Sequence, residues 1–122
     1  MSRRLAVIGS GTWGTAASAL VAPHVDEVVI WARRDEVARS INERSVNPAH
    51  LPTLRLPDNV HASSSLDEVF DGTTEAVLAV PSAFLRRTCH EAAPFVLSNL
   101  PLLILTKGIV PGSCLIMADL VA

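Results

Sequence analysis

A glycine-rich turn directly after the first apolar run constrains the fold of this chain more than any other feature. The run Leu5–Ile8 ends at this turn, and a helical pattern follows it. In such a turn the first glycine permits a sharp reversal, the second lets a phosphate approach the backbone, and the third allows the helix to pack closely on the strand. The candidate dinucleotide-binding residues are Gly9, Ser10, Gly11, Thr12, Trp13 and Gly14. A turn that serves packing alone is the alternative interpretation.

Short runs rich in Val, Ile and Leu alternate with longer helical patterns along the chain. This alternation is typical of a parallel sheet whose strands are connected by crossover helices. With the glycine turn after the first strand, it predicts an α/β fold with a Rossmann-type doubly wound parallel sheet. Only one helical pattern follows the fifth strand, so we expect a sheet truncated before its last strands. The predicted strands are Leu5–Ile8, Val28–Ala32, Val60–Ala62, Ala76–Val80 and Leu102–Thr106.

Capping residues and prolines predict the limits of the helices. Segment 45–59 contains three prolines, so we predict an irregular connector there. The predicted helices are Thr15–Val21 before Pro23, Glu36–Arg44 with Asp35 as N-cap, a short helix after a capping box of Ser65 and Glu68, and a helix from the cap Ser82 to about Ala93 before Pro94.

Composition excludes several classes of function. Ten basic and twelve acidic residues give a net charge of -2, so nucleic acid is not an expected partner. No apolar run approaches the roughly 18 residues of a membrane span, and the N-terminus lacks a signal-peptide core, so we predict a cytoplasmic protein. Cys89 and Cys114 lack metal-ligand spacing and are predicted to be buried and free of disulfides. We assign neither metal binding nor catalysis to His24, His50, His61 and His90.

Two arginines, Arg33 and Arg34, stand at the end of the second predicted strand, where dinucleotide-binding folds commonly carry an acidic residue. A guanidinium group can bind a 2′-phosphate with two parallel hydrogen bonds, and it can also stack on adenine. The pair therefore favours NADPH over NADH as the cofactor. Two solvated arginines before a helix are the alternative interpretation.

The only lysine of the chain, Lys107, follows the fifth predicted strand, and Pro81 follows the fourth. Ligands of open parallel sheets bind outside the carboxyl ends of the strands, so we expect both residues beside the glycine turn. The ammonium group of Lys107 suits a phosphate or a carbonyl oxygen near the nicotinamide, although a solvated surface lysine remains the alternative. Phe84 could pack on the cofactor or in the core, and packing alone favours the core.

Five segments of the chain together resemble the NAD(P)-dependent glycerol-3-phosphate dehydrogenases of the bacterial type. They are GSGTWGTA, IWARR, NPAHLPTLRLPDNV, AVPS and LTKGI, and the resemblance covers nearly the whole chain. The tryptophan in the glycine turn and the two LP pairs of the connector are more specific than the glycines. Thr12 stands where bacterial members often have Ser, and His50 stands where Tyr is common, and neither departure upsets the expected fold.

The resemblance implies an oxidoreductase that interconverts sn-glycerol 3-phosphate and dihydroxyacetone phosphate with NAD(P)(H) and feeds phospholipid synthesis. It implies that the glycine turn contacts the pyrophosphate and that Arg33 and Arg34 contact the adenosine 2′ side. Lys107 matches a lysine that contacts both cofactor and substrate, and Phe84 matches an aromatic cofactor contact of the eukaryotic-type members. The oligomeric state is left undecided by the resemblance, and a homodimer is one of the alternatives.

This chain is much shorter than the members of the family that it resembles. Family members have more than twice as many residues, and the resemblance places their catalytic lysine in a helical C-terminal substrate domain. We therefore expect residues 1–122 to form an incomplete N-terminal dinucleotide-binding domain that is inactive alone. Two other functions stay open: a non-catalytic, dinucleotide-binding regulatory module, and a two-domain dehydrogenase of hydroxyacyl or sugar-acid substrates.

Overall fold

A parallel sheet of five strands organises the described part of the chain. The computed structural model describes residues 3–48, 51–80, 82–95 and 101–104, and for residues 82–85 and 102–104 it describes the backbone alone. The strand order is β3-β2-β1-β4-β5, and all neighbours are parallel, which confirms the Rossmann-type doubly wound sheet. The order reverses between β1 and β4, where doubly wound folds bind their ligands. The strands are β1 Arg4–Ile8, β2 Glu27–Trp31, β3 Val60–Ser63, β4 Glu75–Leu78 and β5 Leu102–Ile104.

Four α-helices connect the strands, and two short 3-10 turns, Ala22–His24 and Ala93–Phe95, end the first and the last of them. Pro23 and Pro94 lie in these turns, as expected of residues that cannot continue a helix. The helices are α1 Thr12–Val21, α2 Asp35–Arg44, α3 Leu66–Phe70 and α4 Ser82–Ala92.

Several predicted boundaries were wrong by one to three residues. Helix α1 begins at Thr12 instead of Thr15, because Gly11 is its N-cap and the glycine turn itself enters the helix. Strand β4 ends at Leu78 because its neighbour β1 turns away after Ile8, although the N–H of Ala79 still donates to the carbonyl of Ile8 (2.9 Å). Strand β2 likewise ends one residue early, at Trp31.

Two predicted helix caps were also wrong. Asp35 is the first residue of α2 and Arg34 its N-cap, so the carboxylate of Asp35 instead accepts a hydrogen bond from the Ser64 hydroxyl (2.8 Å). An acid in the first turn still complements the helix dipole. Ser82 is likewise the first residue of α4 rather than its cap.

The predicted capping box before α3 is half confirmed. The Ser65 hydroxyl accepts a hydrogen bond from the N–H of Glu68 (3.5 Å). The carboxylate of Glu68 does not return to the N–H of Ser65, because Ser63 stands between them: its hydroxyl donates to Glu68 (2.7 Å) and accepts from Ser65 N–H (3.0 Å). A third side chain therefore completes the cap.

Helices cover both faces of the sheet, and for this reason the strands read as continuous apolar runs rather than alternating ones. Alternate residues of β1 and β2 point to opposite faces. On the face covered by α1 and α2, the core contains Leu5, Val7, Val28, Ile30, Ala38 and Ile41. On the face covered by α3 and α4, it contains Ala6, Ile8, Val29, Trp31, Val69, Phe70 and Ala92.

The connector between α2 and β3 spans residues 45–59, of which all but 49 and 50 are described. Its described residues form no helix and no strand of the sheet, as predicted from its prolines. A single antiparallel bridge joins Asn47 and Leu51, and Leu56 is buried in the core on the α1 and α2 face. The N–H of Leu56 donates to the carbonyl of Ser45 (2.7 Å), so the connector folds back on its own start.

Cys89 is free and half-buried against the core on the α3 and α4 face, and burial raises the pKa of its thiol. This differs slightly from the prediction of a fully buried side chain, and Cys114 lies outside the described residues. None of the helices in the described ranges has the length and hydropathy required to span a membrane.

Candidate functional site

The glycine turn lies at the carboxyl end of β1, and two of its glycines are explained by packing. Gly9 has a φ of +130°, and a Cβ atom built there would lie 2.6 Å from the carbonyl oxygen of Ala79. A Cβ atom at Gly14 would clash with the carbonyl of Gly9, so only glycine lets α1 approach the turn this closely. These two positions would be glycine whether or not a ligand binds.

Gly11 is the exception, because neither its conformation nor its packing requires a glycine. Its φ of -73° and ψ of -172° suit most residues, and a Cβ atom built there would meet nothing within 4 Å. Gly11 is also the N-cap of α1, where its own lack of a side chain leaves the helix without a side-chain cap, and the first turn carries no acid. Helix N-termini of this kind bind anions through backbone N–H groups and the helix dipole. The turn therefore fits the close approach of a phosphate.

Two side chains lie beside this turn, the exposed indole of Trp13 and the guanidinium group of Arg33. Trp13, in the first turn of α1, is 65% exposed. At the end of β2, the guanidinium carbon of Arg33 lies 5.0 Å from the centroid of the Trp31 ring, within cation–π range. The guanidinium group also contacts the carboxylate of Glu91 on α4 (3.4 Å). Arg33 is thus held over the α4 side of the sheet.

Arg34 points to a different part of the surface. It lines an open groove of about 470 Å³ along α2 that ends at Pro48, whereas Arg33 does not line this groove. Its ion pair with Glu36 is long (3.8 Å), and both side chains are 77% exposed, so the pair contributes little. The two adjacent arginines, predicted to act together, therefore occupy two different environments.

A small cavity of about 120 Å³ lies between the glycine turn, the ends of β2 and β4, and α4. Whole ligand pockets commonly measure about 300–1,000 Å³, so this cavity could hold only part of a dinucleotide. Thr88 of α4 lines it, and the hydroxyl of Thr88 is buried without a hydrogen-bond partner in the described part of the chain. The other lining residues are Gly9, Ser10, Trp31, Arg33, Ala79 and Val80.

The comparison with protein families shows which family the chain belongs to. Residues 4–122 match the family model described as the NAD-dependent glycerol-3-phosphate dehydrogenase N-terminus. The chain belongs to this family. The glycerol-3-phosphate dehydrogenase resemblance inferred from the five sequence segments is thereby confirmed.

Individual glycerol-3-phosphate dehydrogenases agree with this family assignment. The protein from Streptomyces griseus that is named glycerol-3-phosphate dehydrogenase [NAD(P)+] is 39% identical over 119 residues, which cover 98% of this chain and 35% of that protein. The corresponding protein from Halalkalibacterium halodurans is 35% identical over 98% of this chain. The crystal structure of the enzyme from Coxiella burnetii superposes with a TM-score of 0.88 at 25% identity, covering 98% of this chain and 37% of that one. The chain thus spans about a third of the length of these dehydrogenases.

Three residues predicted for the candidate site fall wholly or in part outside what the structure describes. Pro81 and Lys107 are not among the described residues, and of Phe84 only the backbone, within α4, is described. The remaining predicted residues lie at the carboxyl edge of the sheet or at the start of α1, as expected from the strand order.

Sequence reasoning missed three residues beside the candidate site: Asn47, Thr88 and Glu91. Asn47 is fully buried beside the glycine turn, and the Asn-Pro pair signals a turn but not a long-range contact. Glu91 stands four residues after Arg87, and this spacing correctly indicates their ion pair (3.1 Å) but not the approach of Arg33. Thr88 carries no signal in the sequence.

Proposed function

We propose that this chain is the cofactor-binding part of an enzyme that interconverts sn-glycerol 3-phosphate and dihydroxyacetone phosphate with NADP(H) or NAD(H). The proposal rests on Gly11: it faces open space at the N-terminus of α1, and no contact with the described residues requires it to be glycine. The family match supports the reaction, and the switch point between β1 and β4 supports the location of the site.

The residues of the carboxyl edge fit such a cofactor. The backbone from Ser10 to Gly14 would hold the pyrophosphate, with Trp13 at the margin of the site. Arg34 would hold a 2′-phosphate, because its present partner is a weak surface ion pair. Arg33, held over Trp31, would contact the adenosine side together with the Thr88 cavity. The preference for NADPH over NADH depends on these arginines and is part of the proposal.

The nicotinamide, when bound, gives or takes the hydride, and the protein orients it and polarises the reacting carbonyl. From the family resemblance, Lys107 would place its ammonium group near the cofactor and the substrate, and Pro81 and Phe84 would flank the cofactor. Because the chain spans about a third of its relatives, residues 1–122 are proposed to form the N-terminal domain. The catalytic lysine would then lie in a second, helical domain. The proposed location is the cytoplasm, where free thiols such as Cys89 are usual, and a homodimer stays a prediction.

A pair of variants at Gly11 tests cofactor binding directly. Asp and Asn are both good N-caps, so Gly11→Asp and Gly11→Asn should keep the unfolding midpoint of the wild type. The two side chains have nearly the same size, but only Asp carries a negative charge where a phosphate would bind. At about 4 Å, two such charges at a protein surface repel by up to about 4 kcal/mol, so NADPH affinity should fall on the order of 100-fold further in the Asp variant than in the Asn variant.

Calorimetric titration with NADPH and NADH measures both affinities. A wild-type protein that binds neither cofactor would refute the proposal, as would equal affinities for the Asp and Asn variants. In the complete protein, Lys107→Ala should lower the rate of dihydroxyacetone phosphate reduction without changing the unfolding midpoint. An unchanged rate would remove Lys107 from the site. Cofactor binding without turnover of this substrate by the complete protein would favour the regulatory module or another dehydrogenase.

A further inference from the structure

A buried asparagine of the connector, Asn47, forms hydrogen bonds that hold the glycine turn in place. Asn47 has no exposed surface, and its side-chain N–H₂ group donates to the carbonyl of Ser10 (2.6 Å) and to the hydroxyl of Thr15 (2.9 Å). The Thr15 hydroxyl, itself on a fully buried residue, donates to the same Ser10 carbonyl (3.3 Å). Two side chains from different elements thus converge on one carbonyl of the turn.

This carbonyl belongs to the peptide group that joins Ser10 to Gly11. In a planar trans peptide, the C=O and N–H bonds point in opposite directions. Because the Ser10 carbonyl is turned inward to Asn47 and Thr15, the N–H of Gly11 points in the opposite direction, away from these two side chains. The hydrogen bonds of Asn47 therefore fix the direction of a backbone donor at the phosphate site.

Asn47 can do this because the connector around it is anchored. Leu54 and Leu56 pack into the core on the α1 and α2 face, and the bridge to Leu51 fixes the backbone of Asn47. Pro48 further restricts the conformation of the residue before it. The described residues of the connector thus anchor the side chain of Asn47 beside the glycine turn, in addition to linking α2 and β3.

We propose that Asn47 is a positioning residue for dinucleotide binding: it orients the Gly11 N–H toward the pyrophosphate without touching the ligand. This inference rests on the proposed function. It predicts a loss that is selective for ligands with a 5′-pyrophosphate. A purely structural role for Asn47 would weaken every ligand of the site alike.

The test compares NADPH with adenosine 2′-monophosphate, which carries the phosphate proposed for the arginines but no 5′-pyrophosphate. Asn47→Ala should bind NADPH about tenfold more weakly than the wild type, the effect of one hydrogen bond to a charged acceptor, and should bind adenosine 2′-monophosphate equally well.

Asn59→Ala is the matched control. Asn59 also ties the connector to the chain before β2, donating to the carbonyls of Ala22 (2.7 Å) and Val25 (3.2 Å), but it does so at the opposite edge of the sheet. This variant should lower the unfolding midpoint without changing either affinity.

Equal losses for both ligands in Asn47→Ala, or no loss for NADPH, would overturn the inference while leaving the proposed function intact. A wild-type protein that does not bind NADPH would overturn both. If Asn47→Ala does not fold, Thr15→Val replaces it, because valine keeps the volume and removes the hydroxyl that contacts Asn47 and Ser10. Thr15→Val should lose NADPH affinity about threefold, with adenosine 2′-monophosphate unchanged, and an unchanged NADPH affinity would count against the inference.

Discussion

At the amino ends of the strands, which we call the amino edge, hydrogen bonds and ion pairs connect neighbouring elements of the fold, in contrast to the carboxyl edge, where β1 ends at the glycine turn. Arg4, at the start of β1, is largely buried and donates hydrogen bonds to five residues. Arg3 pairs with Glu75 at the start of β4 through two hydrogen bonds of 2.9 Å, and Asn59 joins the connector to the turn after α1. The partners of Arg4 are Glu27, Glu68, Val69, Asp71 and Thr73.

The carboxyl edge has the opposite character. Helix α1 begins there without a side-chain cap, and the space above Gly11 is open. The hydroxyl of Thr88 is buried without a partner in the described ranges, and Arg34 has only a weak surface ion pair. The carbonyl of Ser10 at this edge is firmly held, and its hydrogen bonds direct the neighbouring N–H of Gly11 away from Asn47.

This difference indicates that the two edges of the sheet have different roles, one in stability and the other in ligand binding. Bonds at the amino edge connect residues far apart in sequence and stabilise the fold. At the carboxyl edge, donors and open space serve a ligand, and substitutions at positions there that packing does not explain, such as Gly11, should change affinity more than stability. Four predictions test this division, from the largest expected effect to the smallest.

The first prediction concerns the glycines of the turn, where the division should be sharpest. In Gly14→Ala, the added methyl group overlaps the carbonyl of Gly9, so the free energy of unfolding should fall by about 3 kcal/mol. Gly11→Ser should leave it unchanged within about 0.5 kcal/mol, because serine is a good N-cap and finds open space. Urea unfolding measures both. A stable Gly14→Ala variant would show that α1 can shift away from the turn.

The second prediction tests the amino edge. Arg4→Ala removes a largely buried guanidinium group and leaves several carbonyl groups without their donor, so we expect a loss of about 2–3 kcal/mol in the free energy of unfolding. Arg4→Lys should recover only part of it, because an ammonium group cannot reproduce the planar fork. NADPH affinity, measured below the unfolding transition, should stay at the wild-type value in both variants. A loss of affinity would contradict the separation of the two edges.

The third prediction separates the two arginines at the end of β2. Arg34→Ala should weaken NADPH about 10- to 100-fold and leave NADH almost unchanged, since one or two charge-assisted hydrogen bonds to the 2′-phosphate are lost. Arg33→Ala should weaken both cofactors to a similar and smaller extent, because Arg33 is held by Trp31 and Glu91. If the selective loss occurs in Arg33→Ala instead, the roles of the two residues are exchanged.

The smallest expected effect is a pH dependence at the amino edge. The hydrogen bond from Arg3 lowers the pKa of Glu75 below its usual value. A carboxyl group with a lowered pKa in the folded state stabilises the protein above the ordinary carboxyl range of about pH 4, and this contribution is lost as the pH falls through the lowered pKa. Because the pair is exposed, the contribution is small. Urea midpoints at pH 6 and pH 3 should differ less in Arg3→Gln than in the wild type. If the midpoints of Arg3→Gln and of the wild type differ equally between the two pH values, the acid sensitivity arises from other carboxyl groups.

The sequence by itself determined the strands, their parallel arrangement and the position of the glycine turn. These features follow from local patterns: apolar runs with buried faces, prolines that end helices, and glycines between strand and helix. The family resemblance, carried by short segments in a fixed order, was confirmed by the match over residues 4–122. Boundaries were less accurate, as at Thr12 and Asp35, because a cap depends on backbone geometry that several neighbouring residues could supply.

Only the tertiary structure decided which glycine is left for a ligand, and what each arginine at the end of β2 contacts. Gly9, Gly11 and Gly14 look alike in the sequence, but the carbonyl groups of Ala79 and Gly9 explain two of them and not the third. Asn47 lies 37 residues from Ser10 and Glu91 lies 58 residues from Arg33, so no local pattern connects these pairs. Contacts of this kind arise when separate elements pack together, because only packing brings distant backbone and side-chain groups within hydrogen-bond distance.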